Sequence, residues 1–143
     1  MNNTSYNATP TRKTITDLNA DIANEFVKNK LFRYIEGNEK GKALITTSQI
    51  RKFLSAVNCL ENKVSSCDKE LKPEIANEIK YLKVKLAYQV GKAPNKDAKS
   101  GLKNLYNEIE PLISQIGTSK DNYTKVARYI EAIVAYHKFN GGE

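Results

Sequence analysis

The 143 residues are 40% hydrophobic and 27% charged, the balance of one globular domain with a modest core. Lys and Arg outnumber Asp and Glu by 23 to 16, a formal charge of +7. That excess suits either a polyanionic partner or simply a solvated surface. No apolar run approaches the roughly 20 residues of a bilayer span, the N-terminus lacks an apolar signal region, and one histidine with two cysteines offers no metal constellation, so the expectation is a cytoplasmic protein with no membrane, metal or cofactor.

Residues 1–16 are polar and read as a disordered leader, ahead of a helical bundle domain over 17–143. From Asp17, apolar residues at Leu18, Ile22, Phe26, Leu31 and Ile35 predict a first helix, with a break near Asn29. "EGNEKGKA", with Gly37 and Gly41, predicts a loop. The second helix is announced by Thr46 at its cap and Gln49 three residues on, a capping-box pair, with Ile45 and Ile50 at the staple positions. Ile50, Phe53, Leu54, Val57, Leu60 and Val64 then share one face. Cys59 and Cys67 are eight residues apart, about 12 Å along a helix and too far for a disulfide.

Pro73 and Glu74 open a third helix, which buries Ile75, Ile79, Leu82, Leu86 and Val90. Its other side carries Tyr81, Val84 and Tyr88, so the helix is apolar on two sides and reads as central in the bundle or covered by a partner, with the interior preferred. "KAPNKDAKSG" reads as a loop running toward a fourth helix that carries Leu102, Leu105, Ile109, Leu112, Ile113 and Ile116, kinked or split at Pro111. A fifth helix over about 121–138 sets Tyr123, Val126, Ile130, Ile133 and Val134 toward the core. No period-two segment and no repeat stand out. The predicted class is all-α, a single-domain bundle of about five helices.

No catalytic motif accompanies these helices. His137 falls on the apolar arc of the last helix, where a lone histidine reads as a core residue donating to a backbone carbonyl rather than as a base. Glu131 reads as a pairing partner of Arg128 or Lys138. Arg51, Ser55, Asn58 and Asn62, spaced by four, three and four, fall on one flank of the second helix, with Lys52 further round. A guanidinium fork beside short hydrogen-bonding groups suits a nucleic-acid backbone, although periodicity by itself also fits a solvated face. Further cations cluster at Lys80, Lys83, Lys85 and Lys92, and at Arg128 and Lys138.

Three blocks, "ITTSQIRKFLSAVN", "EIKYLKVKLAYQVGK" and "ARYIEAIVAYHKFNGG", resemble in order and spacing the signature segments of the small (Csm-type) subunit of type III-A CRISPR effector complexes, over roughly residues 44–142. The leader and first helix lie outside that resemblance. It implies a non-enzymatic, all-helical, cytoplasmic subunit of an antiviral ribonucleoprotein. Several copies run along a filament beside the backbone subunits and the large polymerase-like subunit. They contact the backbones of crRNA and target RNA without reading sequence, and they take no small-molecule substrate. Carried onto this chain, it marks Thr47, Ser48, Arg51, Lys52 and Asn58 in the first block, Lys85 and Lys92 in the second, and Arg128 and Lys138 in the third. Lys92 stands where the family often has arginine, and the Lys92–Lys103 segment has no counterpart. With Ser55 and Asn62 from the helical stripe, these are the expected RNA-binding residues. The alternative is a helical protein–protein interaction module without direct RNA contact.

Overall fold

The computed structural model describes residues 13–143. They form a single-domain, mostly helical bundle with one small hairpin. Residues 1–12 of the expected leader lie outside the described residues. Residues 13–16 belong to a segment held on the bundle: Ile15–Asp17 form a 3-10 turn. The Ile15 amide donates to Gln115 Oε1 (3.2 Å), and Gln115 Nε2 donates to the Lys13 carbonyl (2.9 Å).

Helix α1 spans Ala20–Lys30, and the Asn19 side chain accepts from the Ile22 amide at 2.8 Å. The expected helical continuation to Ile35 and the loop after it are both replaced by strands β1 (Phe32–Ile35) and β2 (Asn38–Ala43). They pair antiparallel, with Phe32 opposite Ala43, Arg33 opposite Lys42, Ile35 opposite Asn38 and a bulge between. Phe32, Tyr34 and Ile35 favour extended backbone, and Gly37 takes φ 84° in the turn. Gly41, at φ 70°, passes so close to β1 that a Cβ there would lie 2.6 Å from the Arg33 carbonyl oxygen. Four residues are too few to show a period-two pattern against the helical one that precedes them.

Helix α2 (Thr47–Asn58) starts as its sequence requires: Thr46 Oγ1 accepts from the Gln49 amide (3.1 Å), and Gln49 Oε1 accepts from the Thr46 amide (2.8 Å). It ends earlier than the apolar pattern predicted. The Leu60 amide bonds back only three residues, to Val57, and a short α3 (Glu61–Ser65) follows. Val64 is still buried, because two short helices joined by a tight turn nearly preserve the 3.6-residue spacing.

Helix α4 (Pro73–Gly91) begins at Pro73 as predicted. Helix α5 (Lys96–Ile116) reaches further back than predicted. Asn95 caps it through the Ala98 amide, so most of the expected lysine-rich loop is helical, and the helix runs through Pro111 without splitting. At Gly101 a Cβ would come within 2.8 Å of Ile45 and 2.9 Å of Leu44. Glycine there lets the strand-to-α2 connection lie against α5.

Helix α6 (Lys120–Phe139) packs on α1, α2 and α5, while α4 runs along α5 and touches α2. The central helix is therefore α6. The buried Tyr123 hydroxyl donates to the Val57 carbonyl at 2.8 Å, tying α6 to the end of α2. Burial, and then the Glu61 charge, hold that phenol above its ordinary value. Near the 3-10 turn, Glu108 accepts from the Tyr129 hydroxyl and forms an ion pair with Lys13 at 2.9 Å. Desolvation, followed by Glu108, likewise raises the Tyr129 phenol. Both cysteines are free, Cys59 exposed and Cys67 buried. Among the described residues no helix is long and apolar enough to cross a membrane.

Candidate nucleic-acid interface

His137 is where a lone core histidine was expected. It is fully buried, and its Nε2 donates to the Ile45 carbonyl at 2.9 Å, since a carbonyl can only accept. Burial holds the imidazole below its ordinary value, the Ile45 bond opposes this, and Lys138 adds to the lowering. Glu131 is exposed and forms no ion pair among the described residues, in place of the expected contact with Arg128 or Lys138. Lys138 donates instead to the Gly142 carbonyl at 3.4 Å. No group of three or more metal-ligating side chains occurs among the described residues.

The outward side of α2 presents Ser48, Arg51, Lys52, Ser55 and Asn58, all exposed. The core side is fixed by Ile50, Phe53 and Val57, and a 100° step per residue places the polar set on the opposite side. Asn62 is also exposed but belongs to α3, past the break, so it does not continue the α2 stripe in strict register. Thr47 departs from the expected contact set. Its amide donates to the Glu143 carbonyl at 2.9 Å, and its hydroxyl is buried against protein.

Between α2 and α4 runs an open groove of about 440 Å³. Lys52, Phe53 and Ala56 line it from α2, and Tyr81, Val84, Lys85, Tyr88 and Gln89 line it from α4. Gln89 Nε2 closes one end by donating to the Gln49 carbonyl at 3.1 Å. The preferred reading of Tyr81, Val84 and Tyr88 as bundle interior is overturned: they are 57%, 49% and 68% exposed. Only the arc of α4 around Ile79, Leu82 and Leu86 faces the core, because α5 covers that side alone. Lys92 Nζ lies 5.3 Å from the centre of the Tyr88 ring, within range of a cation–π contact.

The cations divide into two groups. Lys83 is engaged by Glu110 (3.7 Å) and Ser114 (3.1 Å), Lys63 by Glu78 (3.0 Å), Lys125 by Asp121 (3.1 Å), and Arg33 and Lys42 share Asp97. Arg51, Lys52, Lys85, Lys92, Arg128 and Lys138 form no ion pair among the described residues. Among the described residues no carboxylate lines the α2–α4 groove. The fold thus gathers Arg51, Lys52, Ser55, Asn58, Lys85 and Lys92 on and beside α2. Arg128 instead borders an opening with Lys125, the 3-10 turn and the start of α1, and Lys138 lies by the C-terminal residues. The tyrosines of α4 were legible as a stripe. What the sequence lacked was any sign that no helix among the described residues covers it.

Residues 16–143 match the family model described as Csm2 Type III-A. That span includes the first helix, which the three blocks left outside. A Streptococcus thermophilus protein called "CRISPR system Cms protein Csm2" is 37% identical over 76% of this chain and 84% of its own length. Proteins of the same name from Enterococcus italicus and Mycobacterium tuberculosis are 33% and 29% identical, over 66% and 82% of this chain and 67% and 93% of their own lengths.

Proposed function

The chain belongs to the Csm2 family of type III-A systems, and from that premise we propose that it is a non-catalytic small subunit of a CRISPR effector ribonucleoprotein, stabilising the pairing of guide and target RNA through backbone contacts. The observation that carries this reading is the set of exposed cations on and beside α2 that form no ion pair among the described residues, next to a groove that none of the described carboxylates lines. Arg51 supplies a planar fork for phosphate, Ser55 and Asn58 supply short hydrogen bonds to phosphate or ribose, and Lys52, Lys85 and Lys92 supply point charges. Such contacts track shape and charge rather than bases. Arg128 and Lys138, exposed on α6, extend the cationic surface beyond the groove. The family reading further implies crRNA, target RNA, backbone and large subunits and further copies of the chain as partners, and a cytoplasmic location.

The test is an assembled effector complex carrying Arg51→Ala with Lys52→Ala. Loss of two phosphate contacts reduces the salt dependence of target RNA retention by a slope of about two, with the subunit still incorporated. The rival reading, a helical protein-interaction module without RNA contact, predicts retention indifferent to both cations.

A further inference from the structure

We propose that the outward face of α4 is a base-stacking platform for unpaired RNA, on which Tyr81 and Tyr88 each hold an exposed nucleobase while Lys52, Lys85 and Lys92 hold the flanking phosphates. This rests on the RNA-binding reading above and adds to it a class of ligand, the unstacked bases of a single strand.

The two rings are seven residues apart, two turns or about 10.5 Å along the helix. Lys85 stands between them, four residues from one and three from the other, so a cation and two aromatic faces share one side of α4. Both rings are more than half exposed, and neither hydroxyl has a hydrogen-bond partner among the described residues. They are therefore not held in place by the fold in the way Tyr123 and Tyr129 are. Lys52 closes the opposite rim of the groove from α2, and Lys92 lies over the Tyr88 ring. Aromatic rings interleaved with lysines, along a groove that no carboxylate among the described residues lines, match a single-stranded polyanion, whose bases each present a π-face. Glu78, three residues before Tyr81 on the same side of α4, is paired with Lys63. A protein partner fits less well, because lysine is depleted from the buried centre of protein interfaces.

The experiment compares the full chain with Tyr81→Leu/Tyr88→Leu and Tyr81→Phe/Tyr88→Phe, measuring binding to a labelled oligouridine and to a perfectly paired RNA duplex of equal length. The leucine pair weakens oligouridine binding by about tenfold or more, while the phenylalanine pair, which keeps both rings, stays within about twofold of the native chain. Duplex binding stays level in both variants. Unchanged oligouridine binding by the leucine pair, or equal losses on both RNAs, overturns the platform and leaves the backbone reading standing. So does a native chain that binds duplex but not oligouridine. A native chain that binds neither RNA overturns both readings. A leucine pair that still binds oligouridine but drops out of the assembled complex identifies the face as a protein contact and overturns the platform. Because both rings are exposed, unchanged unfolding midpoints are expected, and the phenylalanine pair keeps the comparison interpretable if the leucine pair unfolds.

Discussion

His137 Nε2 lies 2.9 Å from the Ile45 carbonyl oxygen, so the end of the last helix grips the residue immediately before the Thr46 cap of α2. Gly142 completes this clasp: its amide donates to the His137 carbonyl at 2.8 Å, and a Cβ there would come within 2.3 Å of the imidazole ring. On the other side of that cap the Thr47 amide donates to the Glu143 carbonyl at 2.9 Å, so the C-terminal residues hold the start of the helix that carries Arg51 and Lys52.

Burial of the His137 imidazole, against which the Ile45 bond acts, makes stability depend on pH. The folded state holds His137 neutral below the ordinary imidazole value, whereas the unfolded chain takes up a proton near pH 6.5. The stabilisation is complete above about pH 6.5 and is lost as pH falls through that value toward the folded one. A single proton limits the slope to about 1.4 kcal/mol per pH unit. Urea unfolding between pH 8 and pH 5 measures it, and His137→Gln, which keeps a donor but cannot titrate, removes that part of the slope.

Gly101→Ala drives a methyl group into Ile45 and the root of Leu44. Overpacking of this kind costs about 1–3 kcal/mol, more than the helix-propensity gain of roughly 1 kcal/mol from replacing glycine. Gly91→Ala is the matched control: a Cβ there meets nothing within 4 Å, and the substitution is neutral or stabilising by about 0.5–1 kcal/mol. Paired denaturant titrations separate the two, and equal effects at the two glycines contradict the close approach.

Tyr123→Phe removes the buried hydroxyl that donates to Val57. The Val57 carbonyl keeps its bond from the Leu60 amide, so the loss is near that of one net hydrogen bond, about 1 kcal/mol. It appears as a lower urea midpoint at unchanged m-value.

Lys83 and Lys85 are two residues apart on α4 but point to different neighbours. Lys83 is already engaged by Glu110 and Ser114, whereas Lys85 lines the groove and forms no ion pair among the described residues. Lys85→Ala should therefore lower the salt slope of RNA binding by about one, and Lys83→Ala should leave it unchanged. A titration of bound RNA from 50 to 200 mM salt, the range over which such contacts differ most visibly, reads both variants.

Where the chain's local chemistry is strong, its sequence and its structure agree. The Thr46/Gln49 box, Pro73 at the start of α4 and the apolar arcs of α5 and α6 all lie in the structure as their spacing predicts. The misreadings occur where a local signal is short or where one pattern runs into another. Phe32–Ile35 continues the apolar spacing of α1 yet folds as a strand, because it pairs with residues beyond two turn glycines. Leu60 and Val64 sustain the helical period across a break. The Lys96–Lys103 segment looks like a loop by composition, but Asn95 caps it as the first turns of α5.

The candidate site divides in the same way. That Arg51, Ser55 and Asn58 share one side of α2 follows from sequence alone, since helical geometry and an apolar arc leave polar residues only one place to go. That Lys52 and Lys85 line one groove, that Lys83 is paired while Lys85 forms no ion pair among the described residues, and that Tyr81 and Tyr88 face outward were decided by the tertiary structure. Periodicity specifies which residues of a helix lie together, but exposure and ion pairing depend on which helix packs beside it, and here α5 covers one side of α4 and leaves the other open.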